Sequence, residues 1–282
     1  MVWPERFELS TPASQTRCAT KLRYGQSPHR TGWARGARPR VASMTKSPAD
    51  RGNSAQLVSI TVADDPAAWA AAGFTVTNGN HVHIGDTIFE LAGRAHEARG
   101  ITSWRLAGLD SSLATGWSDG LDGLPTELID QPDGPRDHLG QDRGPDSAHP
   151  NGVIGLDHVV VATPDLERTI AALGEVGLKC RRIRETTSYG SPMRQAFFRV
   201  GTTVLEVVSG DTGTGQTAAD APATWFGLAV DVTDLDLMGA MLGDGLGQVK
   251  VAVQPGRRIA TLRHKSFDMT VAVAAMDDHG DR

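Results

Sequence analysis

A glutamate stands inside a strongly apolar strand pattern. Glu206 lies in TVLEVVSG, where period-2 alternation places its side chain on one face with two valines. A carboxylate in such surroundings is costly unless it is paired or bound to a cation. His158, in the apolar run DHVVVA, is the obvious partner.

An imidazole together with a carboxylate suits a divalent transition metal, which could polarise a substrate oxygen or bind dioxygen. The alternative is that His158 and Glu206 hydrogen-bond each other, or the backbone, in a site without metal. The residue types leave both interpretations open.

Two arginines occupy matching positions in MRQAFFRV and RRIATLRH, which share Arg, Ala and Arg at equal spacing. Alternation places Arg194 and Arg258 each on a face with small or apolar residues, and His264 follows on the face of Arg258. If that face lines a cavity, two guanidinium groups could clamp a carboxylate or an enolate. Alternatively, the arginines are sheet-edge residues paired with Glu185 or solvent.

We include two further side chains as candidate substrate contacts. His264 continues the face of Arg258, and Tyr189 lies in TTSYGSP, where it would sit at a cavity rim or face solvent from a loop.

A repeated strand-to-helix unit must position these residues. Three stretches, starting at residues 57, 157 and 228, are β-branched runs that end in Thr, Asp or Pro and continue into a short helical pattern: LVSITVADD, DHVVVATPD and LAVDVTDLD. A second anchor matches GDTIFEL in the first unit to GTTVLEV in the second. Two anchors in the same order indicate an internal repeat.

Each unit is predicted to be β-α-β-β-β. Thr163-Pro164 and Asp65-Pro66 are typical of an N-cap followed by proline at the first helical position. Leu166, Ile170 and Leu173 then form one buried stripe. Residues 181–208 have strand patterns, and the Asn-Gly at 78–79 predicts a tight hairpin turn.

This order and the DHVVVATPDLERT start resemble the vicinal oxygen chelate superfamily, the glyoxalase, bleomycin-resistance and extradiol-dioxygenase group. The likeness is close over residues 153–210, fair over 223–276 and weaker over 55–93. It implies an α+β fold in which repeated units pair into a cupped mixed-sheet barrel with helices outside, and in which the cup holds ligand or metal.

In that superfamily, metal ligands come from the first and last strands of each unit. The resemblance therefore assigns His158 and Glu206 in unit two, whereas the matching positions of unit three, Gly227 and Val273, have no ligating side chain. Glu90, the match of Glu206 in unit one, would supply a third ligand if units one and two share a cavity. The implied cofactor is a divalent metal ion such as Fe, Zn, Mn or Ni.

The expected organisation has five parts. We expect residues 1–43 to be disordered and to be translated non-coding sequence ahead of a true start at Met44, because FELSTPASQTRCATKLRYG resembles a translated transfer-RNA gene. A degenerate unit spans 44–128, a linker rich in Asp, Pro and Gly spans 129–152, the paired-unit domain spans 153–276, and 277–282 form a tail. ITSWRLAGL, near residue 101, faintly echoes unit three, as a decayed fourth unit would.

Composition excludes several classes. The net charge is −5 and basic residues concentrate in the first 46 residues, so the acidic body predicts no nucleic-acid partner. No apolar stretch approaches the roughly 20 residues that cross a bilayer. The two cysteines, Cys18 and Cys180, do not suggest a disulfide framework and fit a reducing cytoplasm.

Three hypotheses follow. The first is a glyoxalase-like small-molecule enzyme with metal-assisted lyase, isomerase or dioxygenase chemistry. The second is a metal-free protein that binds or sequesters a small molecule, as bleomycin-resistance relatives do. In the third, unit one forms a non-catalytic pairing surface. Since cups of this kind close within one chain or between two, a homodimer is left open.

Overall fold

The computed structural model describes residues 55–94, 98–110, 112, 120–129, 148–187, 192–210 and 220–278. The expected disorder of residues 1–43, most of the expected linker and Tyr189 lie outside these residues.

In the described residues, the chain folds into two mixed β-sheets with short helices. The first sheet is built from β1 (Gln56–Val62), β2 (His81–Ile84), β3 (Thr87–Leu91), β4 (Ile101–Ala107) and β5 (Thr126–Ile129), with helix α1 (Pro66–Ala71). The second is built from β6 (Val153–Ala162), β7 (Cys180–Thr186), β8 (Met193–Val200), β9 (Thr203–Gly210), β10 (Thr224–Val232), β11 (Lys250–Val251), β12 (Arg257–Thr261) and β13 (Val273–Asp278). Helices α2 (Leu166–Glu175) and α3 (Leu235–Leu242) accompany it, and 3-10 turns span Gly243–Gly245 and His264–Phe267.

The second sheet contains two complete β-α-β-β-β units, as predicted. Its strand order is β11-β12-β13-β10-β6-β9-β8-β7. In each unit the first strand pairs in parallel with the last, β6 with β9 and β10 with β13, and the antiparallel pair of β6 and β10 joins the units. The α+β fold of repeated units is thus confirmed. The sheet is open rather than a closed barrel, with β11 and β7 at its edges among the described strands.

The first sheet, in the order β2-β3-β1-β4-β5, repeats this pattern in reduced form. β1 pairs in parallel with β3, and β4 pairs in parallel with β5, while β1 and β4 are antiparallel. β4 contains the ITSWRLA segment whose sequence echoes unit three. The pairing therefore supports its interpretation as the first strand of a decayed fourth unit, with β5 as the last.

The helices of the second sheet begin at aspartate caps. The side chain of Asp165 accepts from the Arg168 backbone N–H at 3.0 Å, and Asp234 accepts from two backbone N–H groups at the start of α3. Helix α2 thus begins two residues after the predicted Thr163-Pro164 cap, because the aspartate is the better placed acceptor. Pro66 does open α1, as predicted.

The two faces of the second sheet differ in what covers them. Val159 and Leu205 face the main apolar core, which also receives Leu166 and Leu173 of α2, so this is the helix face. The opposite face, here called the cup face, carries His158, Glu206, Arg257 and Met276. A small apolar cluster also lies on the cup face, formed by Ala229, Ala252, Ala274 and Met276 with Ile259. The imidazole of His158 and the carboxylate of Glu206 therefore lie on the face opposite the main apolar core.

Candidate functional site

His158 and Glu206 contact each other on the cup face. In the parallel pair of β6 and β9, His158 lies opposite Val204 and Val160 lies opposite Glu206, so both side chains project to one side. The His158 Nε2 lies 3.7 Å from the Glu206 Oε2, and the two side chains are 17% and 14% exposed. The carboxylate of the apolar strand thus has the partner that its surroundings require.

A β-bulge adds Asp157 to the same face. β6 pairs His158 with Ala229 but Leu156 with Val230, so Asp157 is the extra residue of the ladder. Its Oδ2 lies 2.5 Å from the His158 Nδ1. Because Asp157 occupies Nδ1, the other ring nitrogen of His158 is directed toward Glu206.

Arg257 links this group to β10 and β12. Its Nη1 donates to the Asp157 Oδ1 at 2.6 Å, and its Nη2 donates to Asp231. Its Nε lies 3.1 Å from the Asp278 Oδ1. A continuous series of ionisable side chains, here called the charged chain, therefore runs from Glu206 on β9 to Asp278 on β13.

Burial and neighbouring charges separate the acidities of these carboxyl groups. Burial raises the pKa of Glu206 above its usual value, although the charges of His158 and Arg184 oppose the shift. Burial also acts to raise the pKa of Asp157, but hydrogen bonds and charge from His158 and Arg257 outweigh it and lower that pKa. Asp157 is therefore the ionised member of the pair and Glu206 the one that holds a proton more readily.

Gln195 completes the surroundings of Glu206. It lies on β8, is only 3% exposed, and donates from Nε2 to the Glu206 Oε1 at 2.7 Å. The remaining carboxyl oxygen of Glu206 faces His158.

A cavity of about 400 Å³ adjoins the charged chain. Its lining includes Asp157, Asp231, Arg257 and Asp278, with Ile154 and Met276 as apolar walls. The volume is in the range of small-molecule sites.

The residues present supply two donors to a metal, not three. Leu228 lies opposite Val273 and Ala229 opposite Ala274, so the cup-facing counterpart of Glu206 in unit three is Ala274 rather than the predicted Val273. Like Gly227, it offers no ligating side chain. No group of three or more His, Cys, Asp or Glu side chains that could hold a metal occurs in the described part of the chain. Catalytic metal sites normally have three protein ligands, so the fit to a metal is incomplete.

Glu90 does not join His158 and Glu206, contrary to the predicted three-ligand set. Its register in the first sheet does match that of Glu206: Thr61 lies opposite Glu90 and Ser59 opposite Ile88. However, Glu90 belongs to the other sheet, where its Oε1 lies 3.5 Å from the Nη1 of Arg105. Arg105 also pairs with Glu127 at 2.9 Å, so the carboxylate of Glu90 is balanced locally.

The two predicted clamp arginines face the helices. Arg194 Nη1 donates to both carboxylate oxygens of Glu167 on α2, at 2.8 and 3.0 Å. Arg258 binds Asp277 and, at 2.8 Å, Asp236 on α3. Both arginines alternate in phase with core residues of their strands, so they lie on the helix face. The predicted clamp in the cup is therefore not formed.

His264 is buried in the 3-10 turn after β12 rather than on a strand. Burial lowers its pKa, and the carboxylate of Asp64 in unit one acts in the opposite direction. Alternation from Arg258 failed here because β12 ends at Thr261. Tyr189 lies outside the described residues.

Sequence reasoning missed Asp157, Arg257, Gln195 and Asp231. Asp157 precedes His158 directly, and only the bulge turns it to the same face. Arg257 and Arg258 are consecutive in a strand, where neighbouring side chains project to opposite faces. The sequence thus indicated that one of the two arginines lies on the cup face.

No family profile and no curated protein matches the chain. Among solved structures, a mutant of 4-hydroxymandelate synthase from Streptomyces coelicolor matches 80% of this chain and 93% of its own, with a TM-score of 0.52 and 15% identity. The likeness confirms the predicted fold.

Smaller structures match part of the chain. Methylmalonyl-CoA epimerase from Mycobacterium tuberculosis covers 45% of this chain and 89% of its own, with 20% identity and a TM-score of 0.35. The enzyme from Streptomyces coelicolor in complex with 2-nitronate-propionyl-CoA covers 45% and 95%, with 20% identity and a TM-score of 0.36.

No helix in the described residues is long and apolar enough to cross a membrane.

Proposed function

Starting from the vicinal oxygen chelate fold of this chain, we propose that it is a glyoxalase-like enzyme that moves a proton on a small oxygen-bearing substrate, as an isomerase or a lyase does. The observation that carries the proposal is the Asp157–His158–Glu206 group on the cup face. In a recurrent acid–base arrangement, an aspartate hydrogen-bonds one ring nitrogen of a histidine and so orients the other nitrogen toward the group that reacts.

The roles follow from the contacts. With Asp157 ionised and accepting a hydrogen bond from the Nδ1–H of His158, the Nε2 of the ring is unprotonated and acts as general base. It removes a proton from a carbon next to a substrate carbonyl, while the protonated carboxyl of Glu206 donates to the carbonyl oxygen, which gives an enol. Return of a proton to carbon, and of the enol proton to Glu206, completes an isomerisation and restores both side chains.

Gln195 and Arg257 support these groups. The Gln195 amide holds one carboxyl oxygen of Glu206, which orients the other toward His158. Arg257 holds Asp157 in its ionised form, so the histidine keeps its orientation.

A divalent metal would be held by the His158 Nε2 and the Glu206 Oε2, and it would polarise a substrate oxygen. Asp157 would then be the outer carboxylate that orients a metal-bound histidine. Because only two donors are available in the described residues, we assign no step to a metal.

A binding protein that sequesters its ligand is the second candidate. The replacement of both unit-three ligand positions by Gly227 and Ala274 favours it, as does the apolar cluster around Met276. Such a protein would hold a small molecule in the cup without changing it.

Deuterium exchange distinguishes an enzyme that moves a proton from a protein that only binds its ligand. Carbonyl compounds of graded size are incubated with the protein in D₂O, and loss of the C–H signal next to the carbonyl is followed by NMR. We expect exchange that falls roughly a hundredfold or more in His158→Ala and Glu206→Gln, with Glu175→Gln, an exposed change of the same type, as control. Binding without exchange would support sequestration. Metal analysis of the same protein, purified without chelators, tests the two-donor site.

We further propose a cytoplasmic protein without nucleic-acid or membrane partners that acts as a monomer or homodimer. The free thiol of Cys180 supports a reducing compartment.

A further inference from the structure

Gln195 has a buried oxygen without a partner. Its Nε2 is used by Glu206, and its Oε1, buried in a side chain that is 3% exposed, has no hydrogen-bond partner in the described part of the protein. An unpaired buried acceptor is costly, and a ligand that donates a hydrogen bond would relieve the cost. The residue lies on the cup face beside the proposed catalytic group.

Arg184 lies directly across from it. β7 pairs Arg184 with Gln195, so both side chains project from the cup face of neighbouring strands, with Cβ atoms about 5 Å apart. Arg184 is half-buried and close enough to Glu206 to affect its pKa.

No ion pair within 4.0 Å joins Arg184 to a carboxylate of the described residues, and its charge acts on Glu206 only from a longer distance. Four other arginines around this sheet, Arg168, Arg194, Arg257 and Arg258, each have a carboxylate partner within 3 Å. A cation beside an unpaired acceptor requires a ligand that has an anion beside a donor.

We propose that Arg184 and Gln195 form a binding subsite for a hydroxy acid, in which Arg184 pairs with the carboxylate and the Gln195 Oε1 accepts from the hydroxyl on the neighbouring carbon. This inference rests on the proposed proton transfer, and it identifies the substrates of that reaction as hydroxy acids. The subsite lies beside Glu206, so the substrate carbonyl would extend from it toward His158. The paired arginines Arg194 and Arg258 have no part in it.

The test uses the full chain and three matched probes: 2-hydroxyhexanoate, hexanoate, which lacks the hydroxyl, and 2-hydroxyhexanamide, which lacks the charge. Affinities are measured by ligand-observed NMR titration. We expect the intact protein to prefer 2-hydroxyhexanoate by roughly tenfold over either analogue, since one charge-assisted bond or one satisfied buried acceptor contributes about that factor.

Variants assign each preference to a side chain. Arg184→Gln should abolish the preference over the amide, and Gln195→Met the preference over hexanoate. Gln195→Asn shortens the side chain but keeps the amide, and it should also weaken the preference for 2-hydroxyhexanoate over hexanoate. This variant replaces Gln195→Met if the methionine variant does not fold. Arg181→Gln, an exposed change of equal charge on the same strand, should keep both preferences.

The proposal is overturned if the intact protein shows no preference for the hydroxy acid, or if Arg184→Gln and Arg181→Gln behave alike. Binding is measured without turnover, so the expected pattern would stand even if no deuterium exchange were found. Exchange without this binding pattern would remove the subsite and leave the proton transfer in place.

Discussion

Asp157 and His158 are consecutive in the sequence, yet both side chains project from the cup face of β6 and meet at 2.5 Å. Regular alternation would place them on opposite sides of the sheet. The bulge inserts Asp157 as an extra residue, and Leu156 and Val159 on either side of the pair remain in the core. The bulge in β6 thus brings the Asp157 carboxylate to the ring of the partly buried His158 and fixes the orientation of that ring.

The first prediction concerns Asp157→Asn. The amide is neutral, so it no longer fixes the Nδ1 proton of His158, and the ring is free to present the wrong nitrogen to the cup. Deuterium exchange should fall at least roughly a hundredfold.

Asp231→Asn is the matched control for that change. It also removes a carboxylate from Arg257, but Asp231 does not contact His158. An equal loss of exchange in both variants would show that the charged chain, rather than the orientation of His158, is what matters.

The second prediction concerns Arg257→Met. The Arg257 side chain is 16% exposed and its guanidinium bridges Asp157 and Asp231, so its removal leaves two partly buried carboxylates without their cation. We expect the free energy of unfolding to fall by about 2–4 kcal/mol at neutral pH, somewhat less than for a fully buried pair. Urea denaturation measures it, with the exposed Arg181→Met as control.

The size of this loss should depend on pH. The pKa of Asp157 is lowered in the folded protein, so its pairing stabilises above the usual value of 3.8 and is lost as pH falls below it. The difference between intact protein and variant should therefore shrink toward acid pH. A constant difference from pH 7 to pH 3 would contradict the electrostatic explanation.

The alternation of the sequence predicted the shared face of His158 and Glu206, because β6 and β9 pair without a register shift from His158 to Ala162. It could not decide which face of the second sheet is the cup, since apolar and charged residues occur on both faces of its strands. Arg258 was therefore preferred to Arg257, and Val273 to Ala274. The bulge at Asp157 depends on the register with β10, which no local pattern encodes.

The third prediction concerns His149, which joins the chain before β6 to unit one. Its Nδ1 accepts from the Thr75 backbone N–H at 3.0 Å, and its Nε2 lies 2.9 Å from the His83 carbonyl oxygen. Burial lowers the pKa of His149 below its usual value of 6.5. Protonation of Nδ1 would end the bond from Thr75.

The sign of the effect follows from linkage. A lowered histidine pKa means that the unfolded chain binds more protons, so stability is complete above pH 6.5 and falls as pH decreases toward the folded pKa. The free energy of unfolding, measured between pH 8 and pH 5, should decline less steeply in His149→Gln. Some decline should persist, because burial also lowers the pKa of His264. Identical pH dependence in protein and variant would contradict the assignment to His149.

The most direct test of the central claim is the proton position on His158, read from ¹⁵N chemical shifts of the labelled imidazole in the intact protein and in Asp157→Asn. We expect the neutral ring to carry its proton on Nδ1, with Nε2 unprotonated toward Glu206, and we expect this preference to be lost in the variant. A ring protonated on Nε2 in the intact protein, or a tautomer that does not respond to Asp157→Asn, would contradict it.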